Sequence, residues 1–533
     1  MVRRWSLGSR WYVRAAVEPT SRSSTYAIVG ACVGVVAMAL VASVPGSPLH
    51  PILPPGVEPG GPFRWLADAM GIARLAGTSL AVTSVLAVTL AVGTFLWLLR
   101  EAWRGHVSLR AVVLLSIAAH VAVLTLPLLI SRDVYSYIAY GRIVAIHHAN
   151  PYVLTAADFP RDLVAALVGP KWLATPAVYG PLFTGLASLV VRAVDGLAGQ
   201  IAVFRWTAAL ASLGTVALIA TTARRLVPAR AAFAVVAFGV NPVVLFQSVA
   251  SGHNDLLIAL AVAGAFACVV SGRTLIAVAV LALGAVVKAP AALPLALLVV
   301  WCVARSDPGR RLRTLATHAG LAAAIGLLCA APFLQLHDPT LGMLELAGHE
   351  GWLAPSRLFR RLLDAISGDT LGVVARVAFA ATLLVALALL IRDVWRNREV
   401  GDRAILELGA AWGWSLLLLM LLGPVLLPWY VTWALPLVWL LPRVPRVVAI
   451  GASVALALSQ WTAEPDRFPR AYDLNVWVGH YVITPVVVLL LGWLLLDGWR
   501  RLRGGRPLYE EQDDAGPRGE DRRDPRAGAT AEA

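Results

Sequence analysis

Ser131-Arg132-Asp133-Val134-Tyr135-Ser136-Tyr137 follows directly on the apolar run 111–130. A run of that length is enough to cross a bilayer, which takes about 20 residues. One carboxylate, Asp133, therefore stands where a membrane helix meets water. An ionisable group is costly there without a partner or a task. A loop rich in polar and aromatic residues follows, up to Pro176. A membrane-edge acid that opens a large outer loop points to chemistry on a lipid-borne substrate.

The rest of the chain agrees with a membrane setting. Of 533 residues, 59% are hydrophobic and only 14% charged, against about 25% charged in a soluble domain. The mean hydropathy is +0.73. The expected class is thus an all-α, polytopic membrane protein. The net charge of +14 does not argue for nucleic acid. The arginines cluster in short loops between apolar runs, as expected when Lys and Arg mark the cytoplasmic side. Cys32, Cys268, Cys302 and Cys329 lie inside apolar segments without a C-x-x-C pair, so neither a disulfide framework nor a zinc site is indicated. The run 27–44 follows a basic leader, and Pro45 occupies the position where signal cleavage would fall. It reads as a retained first helix behind a basic cytoplasmic N-terminus, 1–26.

Candidate spans are 27–44, 79–99, 111–130, 201–222, 231–251, 256–271, 314–334, 371–391, 404–423, 429–441, 447–461 and 477–497. Arg100, Arg104, Arg110, Arg224, Arg225 and Arg230 all belong inside, which requires an odd number of crossings between Asp133 and Arg224. The short, Pro-started segment 177–194 is therefore read as a juxtamembrane helix. The run 274–304 is broken by Lys288-Ala289-Pro290 and reads as two half-length segments lining a cavity. The expectation is about 14 crossings and a transmembrane catalytic domain over 27–497. Its outer loops are 45–78, 131–176, 335–370 and 462–476. The tail 498–533 mixes Arg, Asp, Glu, Gly and Pro, especially from Gly504 onward, and reads as disordered.

Asp133 suits a general base, because a hydroxyl attacking an anomeric carbon must lose a proton; an Arg132–Asp133 pair that fixes the helix end is the plainer reading. Tyr135, Tyr137 and Tyr140 would spread around a helix, as belt anchors or as platforms for sugar rings. His147-His148 has no nearby carboxylate in sequence and is weak as a metal site. Gly252-His253-Asn254-Asp255 either bonds sugar hydroxyls or caps the following helix. Lys288, a lone lysine in an apolar region, either meets an anion such as a lipid phosphate or snorkels to the interface. Arg357, Arg360 and Arg361 lie in an outer loop against the positive-inside trend and suit a phosphate or anionic headgroups. Pro428-Trp429-Tyr430 reads as a belt anchor. No nucleotide-binding, serine-hydrolase or zinc-helix motif occurs.

Taken together, Arg132-Asp133-Val134-Tyr135-Ser136-Tyr137, Tyr140-Gly141-Arg142, Asn150-Pro151-Tyr152, Tyr179-Gly180-Pro181, Gly252-His253-Asn254-Asp255 and Pro428-Trp429-Tyr430 resemble a known pattern. It is that of the GT-C membrane glycosyltransferases, and within them the bacterial polyprenol-phosphomannose-dependent α-1,6-mannosyltransferases of lipomannan and lipoarabinomannan synthesis. The resemblance implies an inverting transfer of mannose from polyprenyl phosphate mannose to a lipid-anchored mannan, at the outer face of the plasma membrane. It implies Asp133 as base, and Lys288 with an outer arginine, Arg357, at the donor phosphate. Arg132, Tyr135, Tyr140, Arg142, Tyr179, His253, Asn254, Asp255, Glu350 and Tyr430 would be sugar and acceptor contacts. Many members carry two acids at the first-loop site, whereas Asp133 has no acidic neighbour. That favours a single base without a cofactor or divalent metal, with Glu350 or Asp255 as possible second carboxylates in space. Another polyprenyl-linked sugar such as arabinose, or a lipid or solute transporter, are the alternative readings.

Overall fold

A computed structural model describes residues 22–334, 349–368, 371–397 and 399–510. Most of the expected N-terminal segment 1–26, residues 335–348 of the third outer loop and the tail beyond 510 lie outside the described residues. Among the described residues every regular element is helical and no strand occurs. Eight of the described helices are long and apolar enough to cross a membrane: Arg22–Ala42, Gly77–Trp103, Leu197–Leu226, Pro228–Val249, Pro308–Ala330, Gly372–Arg396, Gly401–Leu422 and Pro469–Gly504. Five shorter apolar helices, Leu109–Leu124, Pro181–Ala193, Asp255–Val270, Thr274–Ala285 and Ala289–Arg305, pack among them. The expected fourteen crossings are therefore not met by full-length helices. A polytopic membrane protein is what remains.

The departures from plain α-helix are where the site is built. The run 111–130 is not one helix. Ser108 caps Leu109–Leu124 by accepting the Ala111 N–H at 3.2 Å, and the helix stops short of Pro127, which lacks the N–H to continue it. Ile130 then adopts φ +62°, an unfavourable conformation for a β-branched residue. It is held there by its N–H donating to the Leu49 carbonyl at 2.7 Å. A new helix, Asp133–Ala145, starts on the carboxylate itself.

The break at Lys288 is as expected from sequence. Thr274–Ala285 ends, Lys288 is extended (φ −160°, ψ 135°), and Ala292–Arg305 resumes. The carbonyls freed by the break are not orphaned. Val287 accepts from the Gly180 N–H at 2.9 Å and Val286 from Leu182 at 3.0 Å. A Cβ on Gly180 would lie 2.2 Å from the Val286 oxygen, so only glycine admits this approach. The helix that docks there, Pro181–Ala193, has 13 residues, which cover about 20 Å of the roughly 30 Å hydrocarbon core.

Residues 429–441, expected as one short span, form two 3-10 helices, Pro428–Trp433 and Leu435–Leu440. Pro428, Pro436 and Pro442 disfavour a continuous α-helix. A 3-10 rise of about 2.0 Å per residue stretches so short a segment further than an α-helix would. Its ends meet opposite sides of the molecule. Trp429 stacks on His253, while the Trp439 carbonyl accepts from Arg230 at 3.2 Å.

The four expected outer loops gather on one side. The Ile52 N–H donates to Glu464 at 3.0 Å and Ala463 N–H to the Pro48 carbonyl at 2.7 Å. Lys171 donates to the Glu350 carbonyl at 3.2 Å, and Trp172 stacks on His349. The basic loops gather at the other end, where Arg230 and Arg446 both lie over the Trp103 ring. The tail is ordered further than expected. Helix Thr484–Gly504 runs past position 498. Arg501 then bonds both Asp497 at 2.7 Å and Glu510 at 2.9 Å, which folds residues 505–510 back onto the bundle.

Candidate active site

Asp133, at the first turn of its helix, forms one wall of a narrow cleft with Ser136, Tyr140, Trp172, Tyr179, Lys288, Trp429 and Tyr430. Three chain breaks supply this wall: the turn at Ile130, the interruption at Lys288 and the 3-10 segment from Pro428. Each presents a polar or aromatic side chain that a continuous lipid-facing helix would not hold at one point.

Asp133 is bound lightly. Ser131 donates to Oδ1 at 3.1 Å, and Tyr179 donates to Oδ2 at a long 3.4 Å. His253 Nδ1 stands 3.5 Å from the same oxygen. The carboxylate is 19% exposed. Burial raises its pKa to about 6, against the opposing pull of the Lys288 charge and the Ser131 bond. It is therefore a weak base near neutrality, with one face open to the cleft. Burial, followed by the Lys288 charge, holds His253 well below its usual pKa, so the imidazole is neutral and the contact is not an ion pair.

Asp255 is held in the opposite manner. Lys288 Nζ reaches both of its oxygens, at 2.8 and 2.9 Å, and Trp433 Nε1 donates to Oδ1 at 2.7 Å. The side chain has no exposure. Lys288 thus does not snorkel. It spends two of its three N–H bonds on Asp255 and lies over the Tyr430 ring at 4.7 Å. Asp255 and Asn254 are not simple helix caps either, since Asn254 makes no side-chain cap bond at the start of Asp255–Val270. Asn254 Oδ1 instead accepts from Tyr137 at 3.4 Å. The buried atoms His253 Nε2 and Asn254 Nδ2 have no hydrogen-bond partner among the described residues.

Several expected contacts lie elsewhere. Arg132 does not pair with Asp133. Its Nε donates to Glu464 at 2.9 Å and its Nη2 bonds the same carboxylate, because Glu464 is drawn in by the Ile52 N–H. Tyr135 points away and donates to the Ile52 carbonyl at 2.6 Å, so Tyr135, Tyr137 and Tyr140 do diverge around their helix. Arg142 is 2.8 Å from Asp162, which also takes His147 at 2.8 Å. That cluster lines a separate pocket with Phe159 and Arg161. Glu350 is not a second carboxylate of the cleft, since Arg360 bonds it at 2.8 Å. Arg357 is not part of the cleft wall. It repels Lys171, which lies over the Trp172 ring at 5.3 Å, and so belongs to a basic group beside the cleft mouth. Tyr140, Tyr179 and Tyr430 do line the cleft.

Trp429, Trp433 and Glu464 were not foreseen as site residues. Trp429, read as part of a belt anchor, stacks on His253 at 3.7 Å, and Trp433 stacks on Tyr430 at 4.2 Å. Both are buried. The available signal was the density of aromatic residues over 428–433 in a run interrupted by prolines. Among the described residues no three His, Cys, Asp or Glu side chains group as metal ligands.

Residues 28–305 match the family described as “Alpha-(1->6)-mannopyranosyltransferase, N-terminal domain”. This chain belongs to that family. Residues 359–493 match the “MptB C-terminal domain”. The cleft draws on both stretches, with Asp133, Tyr179 and Lys288 from the first and Trp429 and Tyr430 from the second. The chain is 27% identical over 383 residues to Alpha-(1->6)-mannopyranosyltransferase A of Mycobacterium tuberculosis, covering 69% of this chain and 71% of that protein. No solved structure matches. Family membership makes the protein a GT-C membrane glycosyltransferase and sets the transporter reading aside.

Proposed function

We propose that the protein moves mannose from polyprenyl phosphate mannose to a lipid-anchored mannan, forming α-1,6 bonds with inversion on the outer face of the plasma membrane. The observation that carries this reading is the contrast between two neighbouring acids, one lining the cleft and one buried behind it. Asp255 is saturated by Lys288 and Trp433, while Asp133 is only lightly hydrogen-bonded and faces the opening.

In the proposed reaction the primary hydroxyl oxygen of the acceptor attacks the anomeric carbon of the donor mannose. Asp133 accepts the hydroxyl proton as the new C–O bond forms. The bond between anomeric carbon and phosphate oxygen breaks, and polyprenyl phosphate leaves with the electron pair. A phosphate needs no strong acid to depart, so positive groups only have to meet its charge. Lys288 keeps one N–H free of Asp255, and Lys171 and Arg357 stand beside Trp172 at the mouth. His253 Nε2 and Asn254 Nδ2 are suited to sugar hydroxyls, and Tyr179, Trp429 and Tyr430 to the apolar faces of the rings. Neither Asp255 nor Glu350 is free to complete a metal site with Asp133, which favours catalysis by a single base.

The cleft has about 20 Å³ of space open to water, on the order of one water molecule. A sugar therefore displaces its aromatic walls on entry. Helix Pro181–Ala193 would lie along the outer surface, positioning Tyr179 from its N-terminal end. The test is purified protein in lipid with radiolabelled polyprenyl phosphate mannose and a short mannoside. The expected product carries a new α-1,6 bond. Transfer from a polyprenyl-linked arabinose instead, or intact donor beside an active control enzyme, defeats the proposal.

A further inference from the structure

A much larger cavity, about 920 Å³, opens at the other end of the bundle. That volume is at the upper end of the roughly 300–1,000 Å³ range for organic-ligand sites. Four helices line it: Gly372–Arg396, Gly401–Leu422 and Thr484–Gly504, with Trp301 from Ala292–Arg305. Its wall is apolar, with Val385, Leu389, Trp414, Leu418, Leu495 and Trp499. Its charged residues are Arg392, Arg396, Arg501 and Arg506 together with Asp393, Glu399 and Glu407. Along Gly401–Leu422, the step from Glu407 on this rim to the end near the catalytic cleft is about 22 Å, so this is a separate site.

The rim arginines are not equivalent. Arg392 is matched by Asp393 at 2.8 Å, and Arg501 by Asp497 and Glu510. Arg396 and Arg506 have no carboxylate partner among the described residues, and both are exposed. Two uncompensated guanidinium groups at the mouth of an apolar groove match one ligand chemistry, a phosphate head on a hydrocarbon chain. Guanidinium groups favour phosphate through paired N–H donors. This end of the bundle also collects the basic loops, which face the leaflet carrying the anionic lipids.

We propose that this groove binds one anionic diacyl phospholipid, with its phosphate between Arg396 and Arg506 and an acyl chain along the apolar wall. Segment 505–510, pinned by Arg501 and by the Leu508 N–H on Glu407 at 3.0 Å, supplies one side of the mouth. The ordinary positive-inside pattern explains arginines at helix ends but not a preformed groove between them. Binding here is independent of the transferase reading.

The full chain, purified in mild detergent, is incubated with phosphatidylglycerol or phosphatidylcholine of identical acyl chains, and bound lipid is read by native mass spectrometry. At least tenfold greater retention of phosphatidylglycerol is expected. The double variant Arg396→Gln/Arg506→Gln should lose that preference. Val385→Trp, at an exposed position on the wall, should reduce retention of both lipids. Arg313→Gln, an exposed arginine outside the groove, should retain the preference. Equal retention by the unmodified chain, a preference that survives the double variant, or an equal loss in Arg313→Gln overturns the proposal. So does displacement of bound phosphatidylglycerol by equimolar polyprenyl phosphate, which would assign the groove to the carrier.

Discussion

Two carboxylates, one lining the cleft and one buried behind its Lys288 wall, are held in opposite ways. Asp255, behind Lys288, is fully buried and takes bonds from a lysine and an indole. Asp133, at the rim, has one hydroxyl at 3.1 Å, one phenol at 3.4 Å and an opening to water. A buried ion is tolerable only when its charge is met at close range, so Asp255 and Lys288 form a rigid, neutral unit. Asp133 lacks that compensation and keeps a raised proton affinity instead. One cleft thus separates the group that holds geometry from the group able to exchange a proton.

The largest effect should come from Asp133→Asn. Transfer is expected to fall by about 10²–10⁴-fold, the usual contribution of a general base, while donor binding persists. Retained turnover with bound donor would erase the distinction between the two acids. The wall should respond in stability instead. Removing one partner of a buried pair, as in Lys288→Met, should cost about 3–5 kcal/mol, and the double change with Asp255→Leu should restore much of it. Thermal unfolding of the four proteins in the same detergent measures this.

The pH profile sharpens the contrast. A base works only when deprotonated, and the Asp133 pKa is about 6. The rate kcat/KM should therefore fall as pH drops through that value and level off above it. Lys288 holds this pKa down, so Lys288→Met should move the limb to higher pH, and Asp133→Asn should abolish it. If the limb is unchanged in Lys288→Met, the two acids do not share a field. A smaller effect is expected from Glu464→Gln, which weakens the Arg132 tie between loops. Activity should drop about tenfold, the equivalent of one charged hydrogen bond of roughly 1.5 kcal/mol. The smallest should be Tyr135→Phe. It removes the bond to the Ile52 carbonyl and should cost about 1 kcal/mol of stability without changing KM for either substrate.

Much of this was legible in the order of residues. Apolar runs and arginine-rich loops gave the all-helical membrane class. Lys288-Ala289-Pro290 gave a break, because a proline and a buried charge both oppose a continuous membrane helix. Asp133, Tyr140, Tyr179, His253, Asp255 and Tyr430 were read as neighbours, and they line or back one cleft. Arg132, Tyr135, Arg142 and Glu350 were read with them and are not. Their partners, Glu464, Ile52, Asp162 and Arg360, are ordinary residues whose position depends on how the loops cross.

Local sequence determines hydropathy, charge and the places where a helix must stop, since these depend on a residue and its immediate neighbours. It therefore set the class of this protein and the break at Lys288, whereas the turn at Ile130, held by the Leu49 carbonyl, and the 3-10 form of 428–440 came with the tertiary structure. Which acid is neutralised and which stays available was decided only in three dimensions. Lys288 is 33 residues from Asp255, and Trp433 is 178 residues away. Electrostatic compensation acts over a few ångströms of space, whatever the separation along the chain.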